Sequence, residues 1–347
     1  MKVTENTTYR LMNTNLNRIT NNLQDLRNQG ATGLKLNKPS DDPTAIRPVL
    51  TTRTQLRTTE RYLETMGVSL DKMQATDGHL EHVENVLQRA KEIAINSVNG
   101  AMNQADLNTL ADEIAQLREE LLDAANAKID GKYIFAGYRE NTKPFTVNPN
   151  YNPNPPTDPL NPNPPYDPAD ASTWPYLYNG DNNPTELEIT PGELLEVNLT
   201  GNDLFMGISN ANWNDPSTIP PNPPNTSDAG RIDIFSILTR TEEAIRAGNV
   251  DNPAGAGGGI QANIDNLEVA ADQERRLRSQ LGTRAARVDS AILHQEDVEV
   301  DLNQILSRYQ DADLIETFNA ITKQETAYQA ALNITARVSD ITILNYF

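Results

Sequence analysis

The sequence predicts a mainly α protein. Helices from the two ends of the chain coil together, a long antiparallel helical bundle follows inside them, and a small β- and Pro-rich outer domain is inserted into the bundle. Three observations carry this. Apolar residues recur at steps of three and four on both flanks. Of the 22 prolines, 18 fall within 144–224, so the flanks read as helix and the middle as loops and short strands. Aromatic residues make up only 5% of the 347 residues against 37% hydrophobic overall, which suits long helices packed through Leu, Ile, Val and Ala.

The first segment carries Met12, Leu16, Ile19, Leu23 and Leu26, a heptad seam, with Gly30 and Gly33 as stop signals. Ser40-Asp41-Asp42-Pro43 follows: an Asp cap with Pro at the first helical position. Pro48 disfavours helix at Arg47, so a short or kinked turn is expected there, and a long helix from about Pro48 to Gly100. A second helix, marked by Leu107, Leu110, Ile114, Leu117, Leu121 and Ala124, is expected to end near Asp130-Gly131. Residues 149–168 are rich in Asn and Pro and read as extended linker. Leu187 and Ile189, then Leu195, Val197 and Leu199, flank Pro191-Gly192 and read as a β-hairpin. Gly255 to Gly259 reads as flexible. From Ile260 to Leu302 one heptad frame runs on, interrupted by Glu274 and Arg278. The last helix starts at Asp311-Ala312-Asp313 and carries Leu314, Phe318, Ile321, Tyr328, Leu332, Ile334, Val338 and Ile341. The two terminal seams are the candidate assembly interface, because one amphipathic helix alone is marginal in water.

Charge and composition exclude several classes. The net charge is −19, and from Pro144 to Gly230 there are 11 acids and no Lys, Arg or His. Nucleic-acid binding needs a basic footprint, which is absent. That acidic stretch is expected to face solvent as a surface insert, dispensable for the helical contacts. The absence of Cys excludes disulfide scaffolds. No 18-residue apolar run exists, so no membrane segment is expected, and no apolar leader follows Met1. His79 and His82 lie three apart on a helix, where a solvated face explains them better than a metal site. Asp41-Asp42 reads as helix capping better than as a catalytic carboxylate pair. No nucleophile elbow, P-loop or dinucleotide fingerprint is present, so no enzyme, cofactor or metal is expected.

Leu34-Lys35-Leu36-Asn37-Lys38-Pro39-Ser40-Asp41-Asp42-Pro43 resembles a segment shared by flagellins and hook-associated protein 3, and its ending favours the latter. Gly131-Lys132-Tyr133-Ile134-Phe135-Ala136-Gly137-Tyr138, continuing to Pro144 and Phe145, resembles the segment that leaves the helical core in the hook-associated protein 3 branch of the flagellin family. The run Val197 to Phe205 resembles that family's end-of-insert strand, and Ser307 to Asp313 the start of a flagellin C-terminal helix. The Pro-rich stretch matches nothing in this pattern.

The resemblance implies a structural subunit of the bacterial flagellum, extracellular, at the junction between hook and filament. Implied partners are copies of itself in a ring, the neighbouring hook-associated protein and flagellin, and a type III export chaperone. It also implies export without a cleaved signal. The alternative is flagellin itself, the bulk filament subunit. The expected division is 1–42 with 311–347 for assembly, 43–143 with 231–310 as helical bundle, and 144–230 as the insert.

Overall fold

The structure, a computed structural model, describes residues 2–39, 41–98, 102–153, 160–209, 226–250 and 258–344. Ser40, Gly100 and Gly255 to Gly257 lie outside the described residues, as do the side chains of Val338 and Ile341. Six helices are described: α1 (Lys2–Thr32), α2 (Pro43–Ser97), α3 (Gln104–Ala125), α4 (Ile234–Arg246), α5 (Ile260–Gln310) and α6 (Leu314–Leu344). Six short strands form three separate antiparallel pairs, β1 (Lys128–Ile129) with β2 (Lys132–Tyr133), β3 (Phe145–Val147) with β4 (Tyr176–Tyr178), and β5 (Glu186–Thr190) with β6 (Glu193–Glu196). By contacts the chain forms two units, one of residues 1–61 and 295–347, the other of residues 62–294.

In the second unit, neighbouring helices run antiparallel. Lys91 of α2 meets Glu268 of α5 while Asp77 meets Arg278. Arg118 of α3 meets Glu242 of α4 while Asp112 meets Arg246. Leu80, Val83, Leu87, Ile93, Ile114, Leu121, Leu267, Leu277 and Leu281 are buried along these helices. Asn103 caps α3, accepting from the amides of Ala105 and Asp106 at 2.8 and 3.0 Å.

Several sequence expectations shift. The long helix begins at Pro43, not near Pro48. Asp42 Oδ1 accepts from the amides of Thr44 and Ala45 and so starts the helix, and burial of Ala45 and Val49 holds the turn across Pro48, whose ring removes only one ladder bond. The next helix stops at Ala125, because Asp130-Gly131 is the turn of the β1–β2 hairpin. Both of its residues have positive φ, 52° and 78°, as a type I′ turn requires. The β5–β6 hairpin forms with Leu187 opposite Leu195 and Gly192 at φ 83°, but Val197 and Leu199 fall outside it. The segment expected as an end-of-insert strand instead closes into a π-helical turn, Asn202–Met206, with the Gly201 amide bonded to the carbonyl of Phe135 at 2.8 Å. Helix α4 carries no sequence expectation, although Asp233 caps it through the amides of Phe235 and Ser236.

The largest correction concerns the insert. Its described part shares the core of the helices. Trp174, Phe205, Tyr176 and Tyr178 are buried with Phe145 and Phe235. The described parts of the Asn/Pro-rich stretch, 149–153 and 160–168, pack onto this core and are not free linker: Asn152 and Tyr166 are buried, and the Tyr166 amide donates to the Asn152 carbonyl at 2.8 Å. Side-chain amides replace strand ladders here. Asn148 Nδ2 donates to the carbonyls of Ser172 and Trp174 at 3.0 and 2.8 Å.

Candidate assembly surface

The first unit contains the two terminal helices, and their adjoining ends are stitched by main-chain bonds. Gly33, at φ 70°, ends α1. The Lys35 amide then donates to Gln310 and the Ala312 amide to Gly33, both at 2.8 Å, pairing Leu34 with Asp311. Asp313 Oδ1 accepts from the amides of Ile315 and Glu316 at 2.9 and 3.1 Å and starts α6. From this stitch α6 runs back antiparallel to α1.

The contact uses the predicted α1 seam: Leu23 is buried, and Met12, Leu16, Ile19 and Leu26 are half-buried. On α6 the line turned inward is Thr317, which is buried, and the half-buried Ile321, Gln324, Tyr328, Ala331 and Thr335, with steps of four and three. Gly30 lets the helices approach. A Cβ built there would lie 3.3 Å from Ile321 Cδ1 and 3.7 Å from Thr317 Cγ2. Arg27 Nη2 reaches Glu325 Oε1 at 2.7 Å.

The α6 residues expected on one seam therefore divide. Ile321 and Tyr328 belong to the contact with α1. Leu314, Phe318 and Leu332 lie beside that line, 46%, 56% and 43% exposed, and Ile334 and Ile315 are 56% and 78% exposed. Helical periodicity shows that an apolar stripe exists but not which edge of it a partner helix takes. Ile315 carries no sequence expectation, because it lies off the heptad frame.

The remaining motif residues do structural work. Asp41 Oδ2 accepts from the amides of Asn37 and Lys38 at 3.0 and 2.8 Å, and Pro43 opens α2 behind the Asp42 cap. Gly131 is in the hairpin turn, and Tyr133 lies in β2 under the Lys128 ammonium, 4.3 Å from its ring centroid. Phe135 and Phe145 each meet Phe205, with centroids 5.4 and 5.3 Å apart, and Phe145 meets Phe235 at 5.2 Å. Gly137, at φ 66°, sits so close to the Asp181 carbonyl that a Cβ would overlap it. The Pro144 carbonyl accepts from the Asn179 amide at 2.7 Å. Among the described residues no group of His, Asp or Glu is arranged to hold a metal, and no helix is long and apolar enough to cross a membrane. His82 pairs with Glu120 at 3.2 Å.

The fold is that of a mainly α chain with paired terminal helices, a helical bundle and an aromatic insert core. The chain belongs to the flagellin family. The bacterial flagellin N-terminal helical region matches residues 3–140 and the C-terminal helical region residues 264–347. The chain is 22% identical to flagellar hook-associated protein 3 of Escherichia coli, over 91% of each chain. It is also 22% identical to flagellin D of Vibrio anguillarum, over 93% of this chain and 92% of that one. The fold matches that of Xanthomonas campestris FlgL with a TM-score of 0.54 at 18% identity, over 74% of this chain and 99% of that one.

Proposed function

We propose that this chain is the structural subunit that joins hook to filament in the bacterial flagellum. The observation that carries this reading is the divided surface of α6. One line of the helix is taken by α1 within the chain, while Leu314, Ile315, Phe318, Leu332 and Ile334 stay open to solvent. Exposed apolar side chains of this kind, Leu314, Phe318 and Leu332 on one flank above all, need covering, and subunits packed head-to-tail cover them in a helical assembly without closing into a dimer. Met12, Leu16, Ile19, Leu23, Leu26, Ile321 and Tyr328 set the shape of the coil, and the open residues meet its neighbours. Residues 1–42 with 311–347 do the joining, 43–143 with 231–310 form the bundle, and 144–230 are its insert, whose Glu193, Glu196 and Asp203 pair with Arg287, Arg284 and Arg231. The partners are a ring of its own copies, the adjoining hook-associated protein and flagellin. Before export, a type III chaperone covers the same apolar surface. The role is mechanical, with no catalysis.

Immunogold labelling of intact flagella tests this. Label confined to the boundary between hook and filament is expected. Label along the whole filament would assign the chain to flagellin proper, the second reading, which rests on the 22% identity to flagellin D.

A further inference from the structure

Two charged residues, Glu274 and Arg278, interrupt the apolar frame of α5, and the assembly role makes no use of them. Arg278 is fully engaged. Its Nε and Nη2 hold Asp77 of α2 at 2.8 and 3.2 Å, its Nη1 holds Glu84 at 3.0 Å, and Glu81 lies 3.4 Å from Nη2. Arg275 holds Asp272 at 2.6 Å and lies 3.4 Å from Glu268 and 3.8 Å from Glu84. Lys91 is taken by Glu268. The carboxylates of this line, Asp77, Glu81, Glu84, Glu268 and Asp272, already outnumber the cations Lys91, Arg275 and Arg278.

Glu274 lies against this line. It is fully buried, and neither carboxyl oxygen has a hydrogen-bond partner among the described residues. A buried carboxylate without a counter-charge is costly, whereas the neutral acid is tolerated. The charged groups acting on it are Glu84 and Asp77 from α2, and Arg278 and Arg275 from α5 itself.

We propose that Glu274 is a proton-operated latch on the contact between α2 and α5: protonated, it leaves the ion-paired helices joined, and ionised, it faces Glu84 and Asp77 with no free cation beside it among the described residues and loosens them. Burial first, then the charge of Glu84, pushes its pKa up from an ordinary 4.5 to about 7, while Arg278 and Arg275 work in the opposite direction. The native chain therefore keeps a proton that the unfolded chain releases. The stabilising effect is complete below about pH 4.5 and is lost as the pH rises through about 7. Asp233 is also buried and pushed up to about 7, but its oxygens take the amides of Phe235 and Ser236 and the Ser236 hydroxyl, so it is a helix cap and forms a constant background.

The test is urea unfolding of the full chain, followed by circular dichroism from about pH 5 to pH 8.5, for the wild type and Glu274→Gln. The amide keeps the shape and mimics the neutral acid. The wild type is expected to lose ground as pH rises. The ratio of the two unfolding constants should grow by up to about tenfold per pH unit and level off above about pH 7. A ratio that does not change with pH overturns the proposal. Should Glu274→Gln fail to fold, carbon-13 NMR titration of the wild-type glutamate carboxyls decides. One carboxyl titrating near neutrality supports the latch, and all of them titrating in the ordinary acidic range removes it.

Discussion

The coil of α1 and α6 fully buries only Leu23 and Thr317 among its described side chains, whereas the cluster around Phe145 seals Phe135, Phe145, Phe205 and Phe235 completely from solvent. The first is regular, apolar by period, and held by shallow contacts. The second is irregular, aromatic, and locked by side-chain to main-chain bonds such as Asn126 with Phe145 at 3.0 and 3.2 Å. Under the proposed role the difference separates two tasks. A surface kept for neighbours has to stay partly open in the single chain. The rest of the subunit has to be stable by itself, and local stability follows buried contact.

The largest expected effect lies in the aromatic cluster. Phe205→Ala should cost about 3–5 kcal/mol, since it opens a cavity beside three other rings. Replacing residues 144–230 with a short Gly/Ser linker should do more. It removes Trp174, Tyr176, Tyr178 and Phe205 and strips the cover from Phe235. Loop closure alone would make that replacement mild, but the shared core overrides it. Thermal unfolding by circular dichroism checks both variants. An unchanged melting curve for the linker version would mean that the insert does not support the bundle.

Gly137→Ala comes next. The substitution puts a Cβ onto the Asp181 carbonyl at a φ of 66°, and should destabilise by about 2 kcal/mol or more, since both backbone strain and overlap must be relieved. A near-neutral result would show that the 136–138 turn moves freely over the residues around Asp181.

These two regions were not equally legible in the sequence. Leu16, Ile19 and Leu23 declare their face because a straight helix repeats its environment every three or four residues. Phe135, Tyr178 and Phe205 do not, because they enter one core from three irregular segments whose hydrogen bonds come from Asn126, Asn148 and the carbonyl of Phe135. The Asp130-Gly131 pair was a readable hairpin signal, and so was Asp233 before Ile234, Ile237, Leu238 and Ile245. The division of α6 into an inner line and an open flank could not be read, since Thr317, Gln324 and Thr335 take the contact while Leu314 and Leu332 stay outside it and Phe318 reaches α1 only with its ring edge at Gly30.

A smaller effect on folding, though a large one on assembly, is expected at that flank. Leu332 is 43% exposed, so Leu332→Asp should leave the unfolding free energy of the single chain within about 0.5 kcal/mol of wild type. Flagella complemented with the variant should nevertheless show hooks without filaments in electron micrographs. If filaments persist, the open flank is not the joining surface. If the single chain itself is destabilised by several kcal/mol, Leu332 belongs inside the coil.

The smallest effect is expected from the ion pair that bridges the same two helices. Arg27 and Glu325 meet at 2.7 Å, but their side chains are 61% and 45% exposed. Water screens such a pair, and holding two long side chains in one geometry costs entropy. Exposed pairs of this kind are typically worth about 0.2–1 kcal/mol and weaken as salt is added. A double-mutant cycle with Arg27→Ala and Glu325→Ala, read by urea unfolding of the single chain, should give a coupling near the low end of that range and almost none at high salt. The packing of Leu23, Gly30 and Ile321 would then be what holds α1 to α6. A coupling well above about 1 kcal/mol that survives high salt would reverse the reading. The coil would owe its alignment to a specific charge contact, and salt, not a neighbouring subunit, would decide how firmly the two ends of the chain are joined.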